Sequence, residues 1–311
     1  MRLFRILGRW SAHAATVLVA GGLTVRMTIG DSIPGLSTAF YLAPWGVLAG
    51  SAILPVVLWC HRRRWLAAAG FASVAILCII GWVRTSFRST PPPSVPTFRV
   101  AYWNVCRPAG NLDTVINQSL AIKADIFGFG ETLPRGTKVP RTTRWEDRMP
   151  DRKLLTLRRG MLLASPAPVT QVHDGFLKDR GQYALTETQI SGRKVFVLMV
   201  DFDAIVSLSR KPAFDRLLAI LDECGDVPLI VMGDFNTPSD STYFVPLRAR
   251  LRSAFEVAGN GYAQTWPMPL PVLDLDQIWL SRHFRIARAE HGTSFQSDHR
   301  AVFADVGWND Q

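Results

Sequence analysis

Between Trp65 and Val83 the chain runs for 19 residues without a charged side chain. As a helix rising about 1.5 Å per residue, such a run reaches across most of a hydrocarbon core about 30 Å thick. Two other apolar stretches precede it. Phe40 to Cys60 is also uncharged and contains Pro44 and Pro55; membrane helices tolerate proline when neighbours satisfy the freed carbonyls. Ala12 to Val25 is shorter and rich in small residues, with His13 at one end and Arg26 just beyond the other, so it spans only if those side chains snorkel. A buried core helix is the competing reading of each stretch. A cleaved signal peptide competes for the first, but no A-x-A-like site followed by a soluble region appears. The expectation is a membrane region over residues 1–89 with about three transmembrane helices, near 12–27, 40–60 and 65–83.

Charge sharpens this expectation. The chain carries a net +10, which invites a nucleic-acid reading. Residues 1–90 hold nine arginines against one acid, Asp31, a net of +8. The other 221 residues hold 26 bases and 24 acids. The excess basicity therefore belongs to the apolar third, as does the mean hydropathy of +0.12. Four cysteines in 311 residues exclude a disulfide scaffold, and the apolar content excludes disorder.

Arginines set orientation. Arg2, Arg5 and Arg9 precede the first span, and His61-Arg62-Arg63-Arg64 separates the second from the third, whereas the loop Thr28 to Thr38 holds only Asp31. Both basic patches are expected in the cytoplasm, so everything after Val83 is expected outside the cell membrane; Arg84 and Arg88 oppose this slightly. Residues 90–97, with Pro91-Pro92-Pro93 and Pro96, read as a polyproline II strut at about 3.1 Å per residue. They mark a boundary before a domain over 98–311.

In that domain, strand-like runs alternate with helical ones. Phe98 to Asn104, Asp125 to Phe129, Gly160 to Ala164, Tyr183 to Ile190, Lys194 to Phe202, Val227 to Met232, Leu275 to Leu280 and Ala301 to Val306 read as strands. Lys194 to Phe202 is nearly all apolar and hence central. Asp113 to Ala124 and Pro212 to Cys224 read as helices, with Ser209 a candidate cap for the second. Polar residues collect at strand ends: Asn104, Glu131, Asp234 with Asn236, Asp276, and Asp298 with His299. Singly each fits a turn; five such sites in one domain form a constellation.

With Tyr-Trp-Asn-Val at 102–105, Glu131 closing Asp-Ile-x-x-x-x-Glu, Gly-Asp-Phe-Asn at 233–236, Asp276-Gln-Ile-Trp and Ser-Asp-His at 297–299 in this order, the domain resembles the endonuclease/exonuclease/phosphatase, or DNase-like, superfamily from about Phe98 to Val306. The resemblance implies an α/β fold, a two-sheet sandwich with helices on both outer faces, and a metal-dependent phosphoesterase or nuclease. By that resemblance Glu131, Asn104 and Asp298 would hold Mg²⁺ or Mn²⁺, hard cations suited to oxygen ligands. Asp234 would orient and deprotonate water, and Asn236 would bond a phosphoryl oxygen. His299 would contact the phosphate or leaving oxygen with Asp276 fixing its tautomer.

Two departures stand out. Many members carry a His where this chain has Asp201, and Gln before the metal-binding Glu, where this chain has Gly130. Asp201 either takes over a hydrogen-bonding or metal role or marks a weakened site. Cys106 reads as a buried thiol.

Three spans followed by such a domain also resemble membrane proteins linked to vancomycin and teicoplanin resistance, thought to act on polyprenyl diphosphate carriers. The expected partners are the lipid bilayer and a phosphorylated substrate, lipid-linked or nucleic acid, with no obligate protein partner evident. A nearly balanced domain argues against duplex binding, which rests on neutralising several phosphates. An extracytoplasmic nuclease and a catalytically silent phosphate-binding module remain the alternatives. Arg135 to Arg159, with nine bases and three acids, reads either as a patch for anionic headgroups or a diphosphate, or as a solvated loop. Trp266-Pro-Met-Pro-Leu-Pro271 either lines the site, touches the membrane or is a rigid surface loop.

Overall fold

The computed structural model describes residues 2–92, 97–107, 111–133 and 143–309, with the backbone alone at 2–9 and 143. Residues 93–96 of the proline strut, the three N-terminal arginines' side chains, and Arg135, Lys138 and Arg141 lie outside the described residues. Two compact units result. The first comprises residues 1–87 together with Ile205–Ser209 and Asp240–Thr242; the second comprises Arg88–Ala204, Arg210–Ser239 and Tyr243–Gln311.

The first unit is helical. Arg2–Thr24 runs into a π-helical turn, Val25–Ile29, and is followed by Ser37–Leu42, Trp45–His61 and Trp65–Ser86. The last two form a hairpin with reciprocal close approaches. A Cβ at Gly46 would lie 3.1 Å from the Trp82 ring, and one at Gly81 would lie 2.8 Å from the Trp45 ring. Asp31, fully buried, accepts from the Thr242 backbone N–H at 3.1 Å and the Thr242 hydroxyl at 2.8 Å, and also from Ser241.

Among the described residues, two helices are long and apolar enough to cross a membrane, Trp10–Ile29 and Trp65–Ser86. The first is longer than expected, because the π turn carries it past Arg26. The middle stretch differs in the other direction. It is broken at Ala43-Pro44, since proline lacks an N–H and pushes the preceding residue out of the helical region; Ala43 sits at φ −118, ψ 51. What remains is the 17-residue helix Trp45–His61, about 25 Å long, which falls short of the hydrocarbon thickness unaided. The expectation of three transmembrane helices is thus corrected, among the described residues, to two candidates by length and composition and one shorter apolar helix.

The second unit is an α/β sandwich of two six-stranded sheets. One sheet runs, in spatial order, Phe284–His291, Val302–Trp308, Phe98–Asn104, Ile126–Gly130, Leu162–Ser165, Lys153–Thr156. The other runs Arg252–Ser253, Asp276–Leu280, Leu229–Asp234, Arg193–Phe202, Gly181–Ile190, Thr170–Phe176. Each sheet has one parallel pair near its middle, Phe98–Asn104 with Ile126–Gly130 and Arg193–Phe202 with Leu229–Asp234. A parallel pair requires a crossover, and the helices Leu112–Ile122 and Lys211–Cys224 lie in these crossovers.

The side-chain period of two sorts each strand into two faces. Val100, Tyr102, Val197, Met199, Ile230, Met232, Ile278 and Leu280 pack between the sheets. Ala101 and Trp103 face the Leu112–Ile122 helix, while Leu198, Val200 and Val231 face Lys211–Cys224. The expected strands are present within a few residues, and Arg193–Phe202 is central. Arg210 occupies the cap position of the second helix, with no capping bond from its own side chain. The strands Lys153–Thr156, Thr170–Phe176 and Phe284–His291 went unread because their polar or irregular patterns mask the alternation.

Candidate active site

Continuing the period of two to the strand ends places Asn104 in line with Val100 and Tyr102, Asp201 with Met199, Asp234 with Met232, and Asp276 with Ile278. All four therefore belong to the face between the sheets. Register then assembles them. Gln182, Asp201, Asp234 and Asp276 stand opposite one another on four neighbouring strands. In the other sheet Asn104 stands opposite Gly130, with Glu131 next in the chain. A row of like charges is unfavourable in a sheet, so this one needs counter-charges and donors.

Several are present. Asn104 donates from Nδ2 to Asp234 Oδ2 at 3.1 Å, and its Oδ1 accepts from the Cys106 N–H. The Asn236 N–H donates to Asp234 Oδ1 at 2.8 Å, and Asn236 Nδ2 donates to the Phe202 carbonyl at 2.7 Å. Asn236 reaches this geometry with a left-handed backbone, φ 44. Gln182 donates to Asp201 Oδ2 at 2.8 Å. His299 Nδ1 lies 2.8 Å from Asp276 Oδ2, and its Nε2 is 3.9 Å from Asp234 Oδ2. The Ser297 hydroxyl donates to the Asn104 carbonyl and accepts from the His299 N–H, tying the last motif to the first. Glu131, at φ 51, pairs with Arg107 at 3.3 Å.

The proton affinities follow from this crowding. Burial alone would lower His299, but Asp276, by charge and hydrogen bond, with Asp234 and Asp298 behind it, lifts it to about 10. Burial, with Asp276 adding to it, holds Asp234 well above the usual carboxylate range against the opposing pull of His299. Burial also pushes Asp201 up to about 6, with Glu131 adding to it and Gln182, Arg107 and Arg159 acting against it. Asp298 is held low: its burial is outweighed by His299 and by hydrogen bonds from Cys106 and Trp266. The Cys106 thiol is pushed up to about 11, first by burial and then by Asp298, as befits an unreactive group.

Asp234, Asp276 and His299 present ligand atoms within 4.8 Å of one another. Buried oxygens without a hydrogen-bond partner among the described residues include Asp276 Oδ1, Asp298 Oδ1, Gln182 Oε1 and the Tyr102 hydroxyl. Orphaned buried acceptors of this kind call for a missing partner, and oxygens beside several carboxylates fit a hard divalent cation. Three supports were not legible as site residues: Gln182, Trp266, whose Nε1 donates to Asp298 Oδ2 at 3.1 Å, and Arg210. Arg210 is buried, bonds the Asp203 carboxylate and carbonyl, and bonds the Asn236 carbonyl. Trp266 had a signal, since it opens the Pro-rich loop; that loop touches Asp298. Of the basic stretch, Arg148, Arg152 and Arg158 serve structural partners: Asp113, the Asp125 carbonyl and Asp174.

Residues 101–299 match the model of the endonuclease/exonuclease/phosphatase family. The chain belongs to that family. No match was found among curated proteins. Solved structures share the fold at low identity. A 3′ phosphatase, NExo, from Neisseria, bound to product DNA hairpin, is 19% identical with a TM-score of 0.54, covering 68% of this chain and 100% of that one. A mannosyl-6-phosphatase from Bacteroides thetaiotaomicron is 15% identical with a TM-score of 0.52, covering 68% and 100%. The human Nocturnin catalytic domain with bound sulfate is 18% identical with a TM-score of 0.52, covering 69% and 94%. Endonuclease/exonuclease/phosphatase family members hydrolyse phosphate esters and commonly use divalent metals. Against that family background Gly130 has a local cause. A side chain there would run into the Tyr102 hydroxyl, 2.2 Å from a Cβ at Gly130.

Proposed function

We propose that this chain is a membrane-anchored phosphoesterase that uses Mg²⁺ or Mn²⁺ to hydrolyse a phosphate ester or diphosphate of a lipid carrier on the extracytoplasmic side. The observation that carries the catalytic part is the Asp201, Asp234, Asp276 row meeting Asn104 and His299 at one edge of the sandwich. Glu131, Asn104 and Asp298 would hold the metal, and Asp201 lines the same cleft as Glu131. The ion would stabilise charge on the phosphoryl oxygens. Asp234, whose raised proton affinity suits a base, would orient water and accept its proton. Asn236 Nδ2 has two hydrogens; one bonds the Phe202 carbonyl, leaving the other for a phosphoryl oxygen. His299, kept cationic by Asp276, would give a proton or a hydrogen bond to the leaving oxygen.

The membrane part rests on the two long apolar helices, on side chains such as Leu66 (93% exposed), Ile76 and Leu77 on the last of them, and on arginine placement. Asp31, in the loop expected outside, shares the first unit with Asp240–Thr242 and accepts from Ser241 and Thr242; groups so bonded lie on the same side of a bilayer.

The test is a metal-dependent screen of the full chain in nanodiscs against polyprenyl diphosphate, bis(p-nitrophenyl) phosphate and single-stranded DNA. Turnover with Mn²⁺ that stops with EDTA is expected. Full activity in both Asp234→Ala and His299→Ala would remove the catalytic assignment, and DNA as the preferred substrate would replace the lipid with a nuclease reading. Alkaline-phosphatase fusions after Thr90 read the side, and exclusively cytoplasmic reporter activity would reverse it.

A further inference from the structure

A cleft of about 510 Å³ opens beside the carboxylate row. Its lining includes Glu131 and Asp201 together with Arg107, Arg159, Lys178 and Phe176. The three cations come from three separate turns, following Asn104, preceding Leu162 and preceding Gly181. All three hold left-handed backbone, φ 56, 48 and 54, a conformation that is uncommon outside glycine.

Their partners leave charge to spare. Arg107 pairs with Glu131, an expected metal ligand. The Arg159 guanidinium lies 5.3 Å from the Phe176 ring centre, beside Arg158 at 4.0 Å on the same ring. Among the described residues, neither Arg159 nor Lys178 has an acidic partner within 4.0 Å. Asp203, also on the cleft wall, is taken up by Arg210 and Arg180, and Asp179 in the same lining is exposed to solvent.

An anionic substrate at the adjoining site meets five acids, Glu131, Asp201, Asp234, Asp276 and Asp298, of which the first two line the cleft, and one divalent ion with the His299 imidazolium offsets only part of that charge. A single phosphodiester asks for little more. A diphosphate carries a further phosphoryl group and at least one further negative charge, and the cations able to meet it line the same cleft as Glu131 and Asp201.

We infer that this cleft is a second phosphate subsite, in which Arg159 and Lys178, with Arg107, hold the phosphoryl group adjoining the one attacked, so that the enzyme selects diphosphates over simple esters. This deepens the phosphoesterase reading and rests on it. The chemistry is shared by lipid and soluble diphosphates, which the substrates below separate.

The experiment compares the full chain in nanodiscs with Arg159→Ala, Lys178→Ala and the double variant. Substrates are polyprenyl diphosphate, ADP, bis(p-nitrophenyl) phosphate and single-stranded DNA, with Mn²⁺. A charge-assisted hydrogen bond contributes about 1.5–3 kcal/mol, so each single variant is expected to raise KM for a diphosphate about 10- to 100-fold. The rise on bis(p-nitrophenyl) phosphate should be at least tenfold smaller, and Arg159→Lys should recover much of the loss. Effects on both lipid diphosphate and ADP assign the subsite to the diphosphate itself; an effect on the lipid alone assigns it to the carrier-linked form.

Equal changes on diphosphate and diester, no change on either, or a loss confined to DNA would overturn the inference. If the wild type turns over nothing, the phosphoesterase reading fails separately, and the cleft is then read by calorimetry with methylenediphosphonate and Mg²⁺. Tenfold tighter binding to wild type than to the double variant supports the subsite; equal affinities refute it.

Discussion

The Tyr102 hydroxyl fills the space that a side chain at Gly130 would need, 2.2 Å from where its Cβ would lie. Tyr102 lies two residues before Asn104 and Gly130 stands opposite it, on the two parallel strands that end at the site. Gly130→Ala should therefore force the ring or the strand aside and cost about 1–3 kcal/mol, as overpacking does. In a Tyr102→Phe background the nearest ring atom is 3.2 Å away, and most of that cost should disappear. Urea unfolding of the four proteins of this cycle measures the coupling. Additive costs would mean that the two residues do not share the space.

His299 supplies a pH signature. Its proton affinity in the native state is raised to about 10, above the unfolded value near 6.5. The native state thus holds this proton more tightly, and the stabilisation is complete below about pH 6.5 and lost as pH rises toward 10. In EDTA, the melting temperature should fall over that window in the wild type and fall less in Asp276→Asn, which lacks the carboxylate beside Nδ1. Parallel pH curves for the two would show that Asp276 does not hold the proton.

Asp201 behaves in the opposite sense. Its carboxyl is raised to about 6, so the native state prefers it neutral and loses stability as pH rises from about 4 through 6. Asp201→Asn should be more stable than wild type at pH 8 and show little advantage at pH 4, in metal-free thermal melts. If Asp201 has taken over a metal role, adding Mn²⁺ at pH 8 should reverse the order.

Metal binding should itself stabilise the second unit. A ligand at 100 times its Kd adds about 2.7 kcal/mol, so saturating Mn²⁺ should raise the melting temperature and EDTA should remove the gain. In Glu131→Ala the metal-induced shift should shrink sharply. An undiminished shift would place the ion elsewhere.

Arg210 is buried to 1% exposure and joins Asp203 to the Asn236 carbonyl. Arg210→Met strips the Asn236 loop of a donor and leaves Asp203 to Arg180 and water. Removing one partner of a buried ion pair costs about 3–5 kcal/mol, and less is expected here because Asp203 is 25% exposed. Turnover should fall further than stability alone predicts, because Asn236 loses one of its three anchors. Arg210→Lys should restore stability better than turnover, which a coupled melt and kinetic assay would resolve.

The strand ends were legible because an acid or amide that closes an apolar run with the parity of its core-facing residues can be read from period alone: Asp234 after Met232, Asp276 before Ile278. Their pairing was not. Register between Asp201, Asp234 and Asp276 depends on strands far apart in the chain, and alternation within one strand does not fix its neighbour. Gln182 was not legible because it lies second in its strand as an ordinary polar residue. Arg159 and Lys178 sit in turns, where composition says only that the backbone bends. In the apolar third, hydropathy averaged across Ala43-Pro44 hid a break that the local chemistry of proline imposes.

The carboxylate row rides on neighbouring strands of one sheet, braced by hydrogen bonds from the other sheet through Asn104 and Ser297. These donors and acceptors stand on packed strands or beside them, so the reacting groups have no joint of their own at which to come apart. Heat should therefore extinguish the activity together with the sandwich rather than ahead of it, and the inactivation curve should overlay the melt.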